Sequence, residues 1–421
     1  MRRLLMMLGL VLQITTLSAA PLHFTFFGDS FTDTGNFPEA SNVSDPVLKN
    51  FSLYVPVSNP VLLKAQDPMF HFLERSLGPL SELGQINGQA RAHYSVNWPL
   101  YLMYSFSHHS PKALISWSKM ATDSSHDAQS VNYAWASALA GNSKGDKEMD
   151  GECFHVNGQP FLGDCQASSL LAFRKEYQVQ TAKNPNFDKD QDYDYQTLQI
   201  PDLNKQVALY LYDFRNRLPS QNALFIYIGA NDIAHFMKSH LIKAAFYKED
   251  YFIANSSQPQ MEIVASYVDQ AVGQIEAAYG SNKNYHIYVL SLPHLSNLYE
   301  AYAYKEIPFI GSKFIQILDR TVDEYNADLS TQFQKDSQVS FLDSGSKMNQ
   351  WAASSLFKDS VVNGKACSKD PHYLMSSAIN TTNCYYEQEG MTKIYFSWNN
   401  AHFTAPVNQR LATAVALGIK T

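Results

Sequence analysis

Apolar strand-like runs alternating with helical segments predict an α/β protein built on a parallel, doubly wound sheet. Three observations carry this. The run Leu22 to Phe27 has the length, aromatic content and glycine boundary of a buried strand, and stops at Gly28-Asp29-Ser30. The runs NALFIYI (222–228) and YHIYVLSL (285–292) are almost continuously apolar. Between and after them, residues recur at helical spacing.

After the opening strand and turn, residues 40–130 show no clean period and are rich in Pro, Ser, His and aromatics, as expected of an excursion from the core. Within it, Ala90 to Ser107 carries Tyr94, Trp98, Tyr101, Leu102, Tyr104 and Phe106, which fits a helix with either a packing face or a cleft-lining one. Ser130 to Asn142 reads as a short strand and a small-residue turn, where backbone can approach another group closely. Residues 143–200 form a polar insertion. Its alternating Asp188, Asp190, Asp192 and Asp194 fail the calcium-loop test, because Tyr193 stands at the glycine position and Gln199 at the terminal glutamate.

Regular structure resumes at Pro201, where Leu203, Val207, Tyr210, Leu211 and Phe214 are helically spaced. Helices are expected over Met261 to Tyr279 and Phe314 to Phe333, with a short strand over Val339 to Leu342. The last segment, Ile394 to Gly418, starts irregularly and becomes helical after Pro406.

Composition narrows the function. Charged residues make up 17% of the 421, the formal net charge is −7, and Tyr and Phe number 25 each. Such a chain is a poor binder of nucleic acid and suits apolar or amphiphilic substrates. Arg2 and Arg3, the apolar stretch Leu4 to Leu12 and the small residues Ser18-Ala19-Ala20 read as a secretory signal over residues 1–20. The apolar run is shorter than the ~20 residues a membrane span needs. A secreted or periplasmic mature chain, 21–421, is expected to form one domain with insertions at about 40–130 and 143–200. In that compartment Cys153, Cys165, Cys367 and Cys384 suggest disulfides. Sequence order favours Cys153 with Cys165 and Cys367 with Cys384, although three connectivities are possible. A metal site is the weaker alternative, because no CxxC or nearby paired His is present.

Four segments lie at strand ends or in the turns before helices: Gly28-Asp29-Ser30, Asn132 to Ala138, Gly229-Ala230-Asn231-Asp232, and Trp398-Asn399-Asn400-Ala401-His402. In open α/β folds this is the crevice where ligands bind. The four supply what acyl transfer requires: Ser30 as nucleophile, His402 as general base and then acid, and donors for the tetrahedral oxyanion. Candidate donors are the Ser30 backbone N–H, a backbone N–H near Ala136 and Ser137, and the Asn231 side-chain amide. Asp33, Thr34 and Asn36 are expected to fix the turn after Ser30, and Asp232 to brace the Asn231 loop. His294, near another strand end, is the competing candidate for the base.

These segments resemble the GDSL or SGNH lipase/esterase family, whose four blocks contribute Ser, Gly, Asn and His in that order. FGDSFTDTGN resembles the first block closely, IGANDI the third closely and WNNAHFT the fourth in part. VNYAWASALAGN is similar to the second through its Asn-aromatic-Ala opening, but has Ala136 and Ser137 where the family usually has a glycine pair. The resemblance implies a flavodoxin-like, three-layer α/β/α sandwich and Ser-His acyl-enzyme chemistry without metal or organic cofactor. The long opening block on an exported chain looks most like the bacterial phospholipase A, lysophospholipase and glycerophospholipid:cholesterol acyltransferase branch. That branch implies a phospholipid or lysophospholipid substrate, a sterol as a possible acceptor, and peripheral contact with membranes.

The fourth block departs from the family pattern. Asn399 occupies the place of the usual Asp three residues before His402, and no Asp or Glu follows Glu389. In a serine-protease triad, Asp to Asn costs about 10⁴ in turnover through the wrong imidazole tautomer. Three alternatives follow. The Asn399 carbonyl orients His402 as a neutral acceptor, a distant group such as Asp343 orients it, or the chain is a weakened, lipid-binding member. A short-chain or carbohydrate acetyl esterase is the alternative of the same mechanism.

Overall fold

The computed structural model describes residues 22–34, 97–106, 114–116, 130–135, 138–141, 155–156, 159–160, 201–216, 218–219, 221–234, 236–237, 258–307, 311–367, 385–388, 390–397 and 402–419. The calcium-loop candidate at 188–199 and the leader at 1–20 fall outside these residues.

A six-stranded, all-parallel sheet forms the centre. Its strands are β1 (His23–Gly28), β2 (Leu114–Ser116), β3 (Ser130–Asn132), β6 (Asn222–Tyr227), β7 (Tyr285–Leu290) and β8 (Val339–Leu342), in spatial order β2-β3-β1-β6-β7-β8. Two antiparallel hairpins lie apart from it, β4 (His155–Val156) with β5 (Gln159–Pro160), and β9 (Tyr385–Gln388) with β10 (Met391–Ile394). The chain leaves β1 toward one edge to build β2 and β3, then returns to the other side of β1 for β6, β7 and β8. The direction of winding therefore reverses at β1, which places the ligand crevice beyond its carboxyl end.

Strand alternation divides the core into two layers. Phe24 and Phe26 point to one face, where Phe225 stacks between them and Tyr288 at centroid distances of 5.0 to 5.9 Å. Trp98 closes that layer edge-on to Phe26 at 5.4 Å. Helix α1 (Trp98–Phe106) carries this Trp98 and packs against the C-terminal helix α8 (Ala405–Gly418). Thr25 and Phe27 point to the other face, covered by α2 (Leu203–Asp213), α3 (Gln258–Tyr279) and α5 (Gly311–Phe333). On α5, Phe314, Ile317, Leu318, Val322, Tyr325, Leu329 and Phe333 are buried at three- and four-residue intervals, which is the stripe an amphipathic helix presents to a sheet. Both faces of the sheet are thus covered, and the strands read as continuous apolar runs for that reason.

Near the amino ends of the strands, a polar group is set into this second layer. The buried Asn222 amide donates to Tyr210 Oη at 2.9 Å, Tyr279 Oη at 3.0 Å and Thr25 Oγ1 at 3.2 Å, and the two tyrosine hydroxyls are 2.7 Å apart. His23 Nδ1 lies 3.3 Å from Asn222 Oδ1.

Two expectations are corrected here. The segment 40–130 does not lie wholly outside the core, since it contributes α1 and the edge strand β2. Three residues are too few to show the strand period of β2, whereas α1 lies within the helix expected over Ala90 to Ser107 and packs into the core through Leu100, Tyr101, Leu102 and Met103. The region after Val339–Leu342 holds α6 (Ser344–Ala353), α7 (Lys358–Val362) and the β9–β10 hairpin, and α4 (Tyr299–Lys305) follows β7; none of these short elements was expected. No helix among the described residues is long and apolar enough to cross a membrane.

Candidate active site

The site starts from the way β1 ends. A Cβ on Gly28 would lie 2.2 Å from the Tyr227 carbonyl oxygen, and the residue has φ +153°, so only glycine lets β1 and β6 stay paired up to the turn. Asp29 then closes the turn. Its carbonyl accepts from the Thr32 and Asp33 N–H groups, both at 2.9 Å, and its Oδ1 accepts from Phe31 N at 2.9 Å. Ser30 sits at the apex, the one residue between His23 and Thr34 that is not buried.

Four side chains from distant parts of the chain pin this turn. Asn97 Nδ2 donates to the carbonyls of Ser30 (3.1 Å) and Asp33 (2.7 Å), and Trp98 Nε1 to Thr32 Oγ1 (3.3 Å). Asn132 Nδ2 donates to Thr32 O and Thr34 Oγ1, while its Oδ1 accepts from Ala134 N. Gln206 grips Gly28 on both sides, accepting from its N–H and donating to its carbonyl, each at 2.9 Å. A nucleophile held this way pays little reorganisation on substrate binding.

The third block is laced to the second. Asn231 Nδ2 donates to Ala138 O at 3.0 Å, which leaves its other N–H for a second acceptor, and Asp232 Oδ2 accepts from Ala140 N at 2.9 Å. The turn that presents them is fixed from beneath: Gly229, at φ +111°, lets the Tyr325 ring approach, and Tyr325 Oη donates to Ile228 O.

His402 reaches the same neighbourhood through Phe31. The Phe31 ring meets the imidazole edge-on at a centroid distance of 6.3 Å, and also contacts Phe403 at 4.7 Å and Tyr227 at 5.7 Å. The residue next to Ser30 thus carries the contact to His402. Thr404 anchors the segment, its N–H on Phe396 O and its hydroxyl on Tyr395 O. His402 is buried, and burial lowers its pKa to about 3. The imidazole is therefore neutral at pH 7, the form that can accept a proton.

The electrostatics beneath Ser30 have the opposite sign. Asp29 is 1% exposed and its Oδ2 has no hydrogen-bond partner among the described residues. Burial, with a smaller contribution from the charge of Asp232, raises its pKa to about 7. Burial likewise raises Asp232 to about 7.

The GDSL-like lipase/acylhydrolase family model matches residues 24–415, which includes Ser30, Asn231 and His402. The chain belongs to this family. A comparison with curated proteins gave no match. This GDSL hydrolase accordingly has the α/β class of its family, with a central parallel sheet flanked by helices, and an ester-hydrolysing activity.

The other sequence candidates divide as follows. Ala136, Ser137, Asn399, Cys153, Cys165 and Cys384 lie outside the described residues, and Cys367 is disulfide-bonded. Asp343 does not orient the imidazole: its Oδ1 accepts from Ser346 N and Ser291 Oγ, both at 3.2 Å, as the cap of α6. His294 is held by Asp323 at 2.9 Å and faces Asp319 at 3.7 Å. Among the described residues no cluster of three or more His, Cys, Asp or Glu side chains is placed to hold a metal ion. Sequence reasoning missed Asn97 and Gln206 as supports of the turn. A lone amide residue has no periodic or spacing signature, so nothing in the sequence marked them.

Proposed function

We propose that this GDSL hydrolase is an exported serine acyl hydrolase that cleaves or transfers fatty acyl groups of glycerophospholipids or lysophospholipids. Ser30 Oγ attacks the ester carbonyl carbon as its proton passes to the neutral His402 imidazole. The resulting oxyanion takes hydrogen bonds from the Ser30 N–H, the free N–H of the Asn231 amide and, by resemblance to the family's second block, a backbone N–H of Ala136 or Ser137. Collapse breaks the bond to the alcohol, which leaves with the proton from His402 and gives an acyl-Ser30 ester. Water, or a sterol hydroxyl, then attacks that ester with His402 again as base, releasing acid or a new ester.

The observation that carries the serine chemistry is the Phe31 ring in contact with His402 one residue beyond the half-buried Ser30. The lipid substrate is supported by the resemblance of the long opening block, the leader-like first twenty residues and the abundance of Tyr and Phe. The buried, weakly basic imidazole and Asn399 at the usual Asp position favour slow turnover as the second reading. The test is acid release by the mature chain from phospholipids, lysophospholipids and p-nitrophenyl esters of increasing chain length, with and without cholesterol. Release that rises with acyl length and is abolished by Ser30→Ala is expected. A preference for acetyl esters would assign a short-chain or carbohydrate esterase, and no release from any ester would leave a lipid-binding member.

A further inference from the structure

A second cleft, of about 310 Å³, opens between α7 and the β9–β10 hairpin. Lys358 and Lys393 line it, and neither has a carboxylate partner among the described residues. Lys393 is 9% exposed and its ammonium donates to Ser355 O at 2.8 Å, a neutral acceptor. An ammonium that deep is costly unless an anion faces it. The carboxylate of the cleft, Asp359, is already engaged by Lys365 Nζ at 2.8 Å and Asn363 Nδ2 at 2.6 Å. Gln388 adds a buried side-chain oxygen with no hydrogen-bond partner, a position for a ligand hydroxyl or ammonium. The cleft also holds two of the large apolar side chains the fold leaves exposed, Val362 at 48% and Met391 at 51%.

Two cations, an orphan acceptor and an apolar rim make up the chemistry of a phosphate headgroup at a lipid surface. The phosphate answers the lysines, a glycerol hydroxyl or ethanolamine ammonium answers Gln388, and Val362 and Met391 meet the acyl region. The cleft is also joined to the segment that carries His402. Ser360 of α7 donates to Ile394 O and accepts from Phe396 N, and Phe396 O in turn accepts from Thr404 N. We propose that this cleft is a headgroup site that anchors the protein on phospholipid surfaces, separate from the Ser30 turn. The proposal rests on the lipid reading of the substrate, but its test does not depend on turnover.

The experiment uses the mature chain carrying Ser30→Ala and measures flotation with vesicles of phosphatidylcholine alone or mixed with phosphatidylglycerol. Binding is expected to favour the mixed vesicles and to fall roughly fivefold or more with Lys358→Glu, since one cation near an anionic surface contributes about that factor. Met391→Asp is expected to weaken it similarly, while Leu417→Asp, an exposed apolar residue elsewhere, leaves it unchanged. Lys358 and Met391 are exposed, so their variants keep the fold, which circular dichroism verifies. Equal binding to both vesicle types, or no effect of either variant, overturns the proposal. Saturation of the site by free glycerol phosphate without any affinity for vesicles also overturns it, in favour of a soluble phosphate ester. Vesicle binding by Ser30→Ala beside a wild-type mature chain that releases no acid from any ester would refute the proposed reaction and leave the anchor standing.

Discussion

Replacing Asp29 by Asn isolates the electrostatic strain under the nucleophile. The amide keeps an oxygen where Oδ1 accepts from Phe31 N, so the turn geometry is preserved while the ionisable group is removed. The folded pKa of about 7, against the ordinary 3.8 of an aspartate, means that the native state binds the proton more tightly than the unfolded chain does. Stability therefore falls as pH rises from about 4 to about 7, and the full penalty is present above that window. Three units at ~1.4 kcal/mol each give about 4 kcal/mol, undiminished by solvent because the group is 1% exposed. The added NH₂, if it finds no acceptor, costs ~1–3 kcal/mol at every pH. Urea unfolding of wild type and Asp29→Asn from pH 4 to pH 8 should show their stability difference moving in favour of the variant by about 4 kcal/mol. A difference that stays constant across that range would show that Asp29 is ionised in the folded protein at all these pH values, and would refute the reasoning.

Phe31→Ala removes the ring between Ser30 and His402, and should destabilise by ~3–5 kcal/mol while lowering kcat about a hundredfold through misplacement of the base; unchanged kcat in the folded variant would exclude Phe31 as the spacer. Gln206→Leu strips the Gly28 N–H of its side-chain acceptor, at ~1–3 kcal/mol, while the Gly28 carbonyl keeps the Trp135 N–H at 3.1 Å; a denaturant melt measures the loss. Because burial holds His402 near pKa 3, its imidazole stays a base down to about that pH and is protonated only below it. The acid limb of kcat/KM should thus lack a step near pH 6.5, and a step there that follows His402 in an NMR titration would contradict the assignment.

What the sequence disclosed follows from how each element is stabilised. Strands β1, β6 and β7 are covered on both faces, and burial at all six positions of β1 and β6 and at five of six in β7 leaves an unmistakable apolar run. The edge strand β2 and the five-residue α7 each span fewer than two periods of the pattern that would announce them, too few for a repeat to show. Ser30, Asn231 and His402 stood out because their neighbours form spaced blocks, not because of their own identity. Gln206 and Asn97 each act through a pair of hydrogen bonds to backbone atoms far away in the chain, a relation that appears only once the fold is known. Asp343 failed as an orienter for a local reason: a carboxylate beginning a helix is drawn to the unpaired N–H groups of its first turn.

The Asn222 cluster at the amino edge of the sheet bears on how this scaffold tolerates change. Thr25 and His23 on β1 meet Asn222 on β6, and a slip of one residue between the strands would turn both side chains to the aromatic face, where no polar partner awaits them. The alignment of β1 with β6, and with it the height of Ser30 above the sheet, is thus keyed from the end opposite the crevice. Apart from Asn97 and Trp98, which pin the Ser30 turn, the long connections at the carboxyl end can then lengthen, shorten or exchange sequence while the register holds, which makes those loops the natural place to reshape substrate choice.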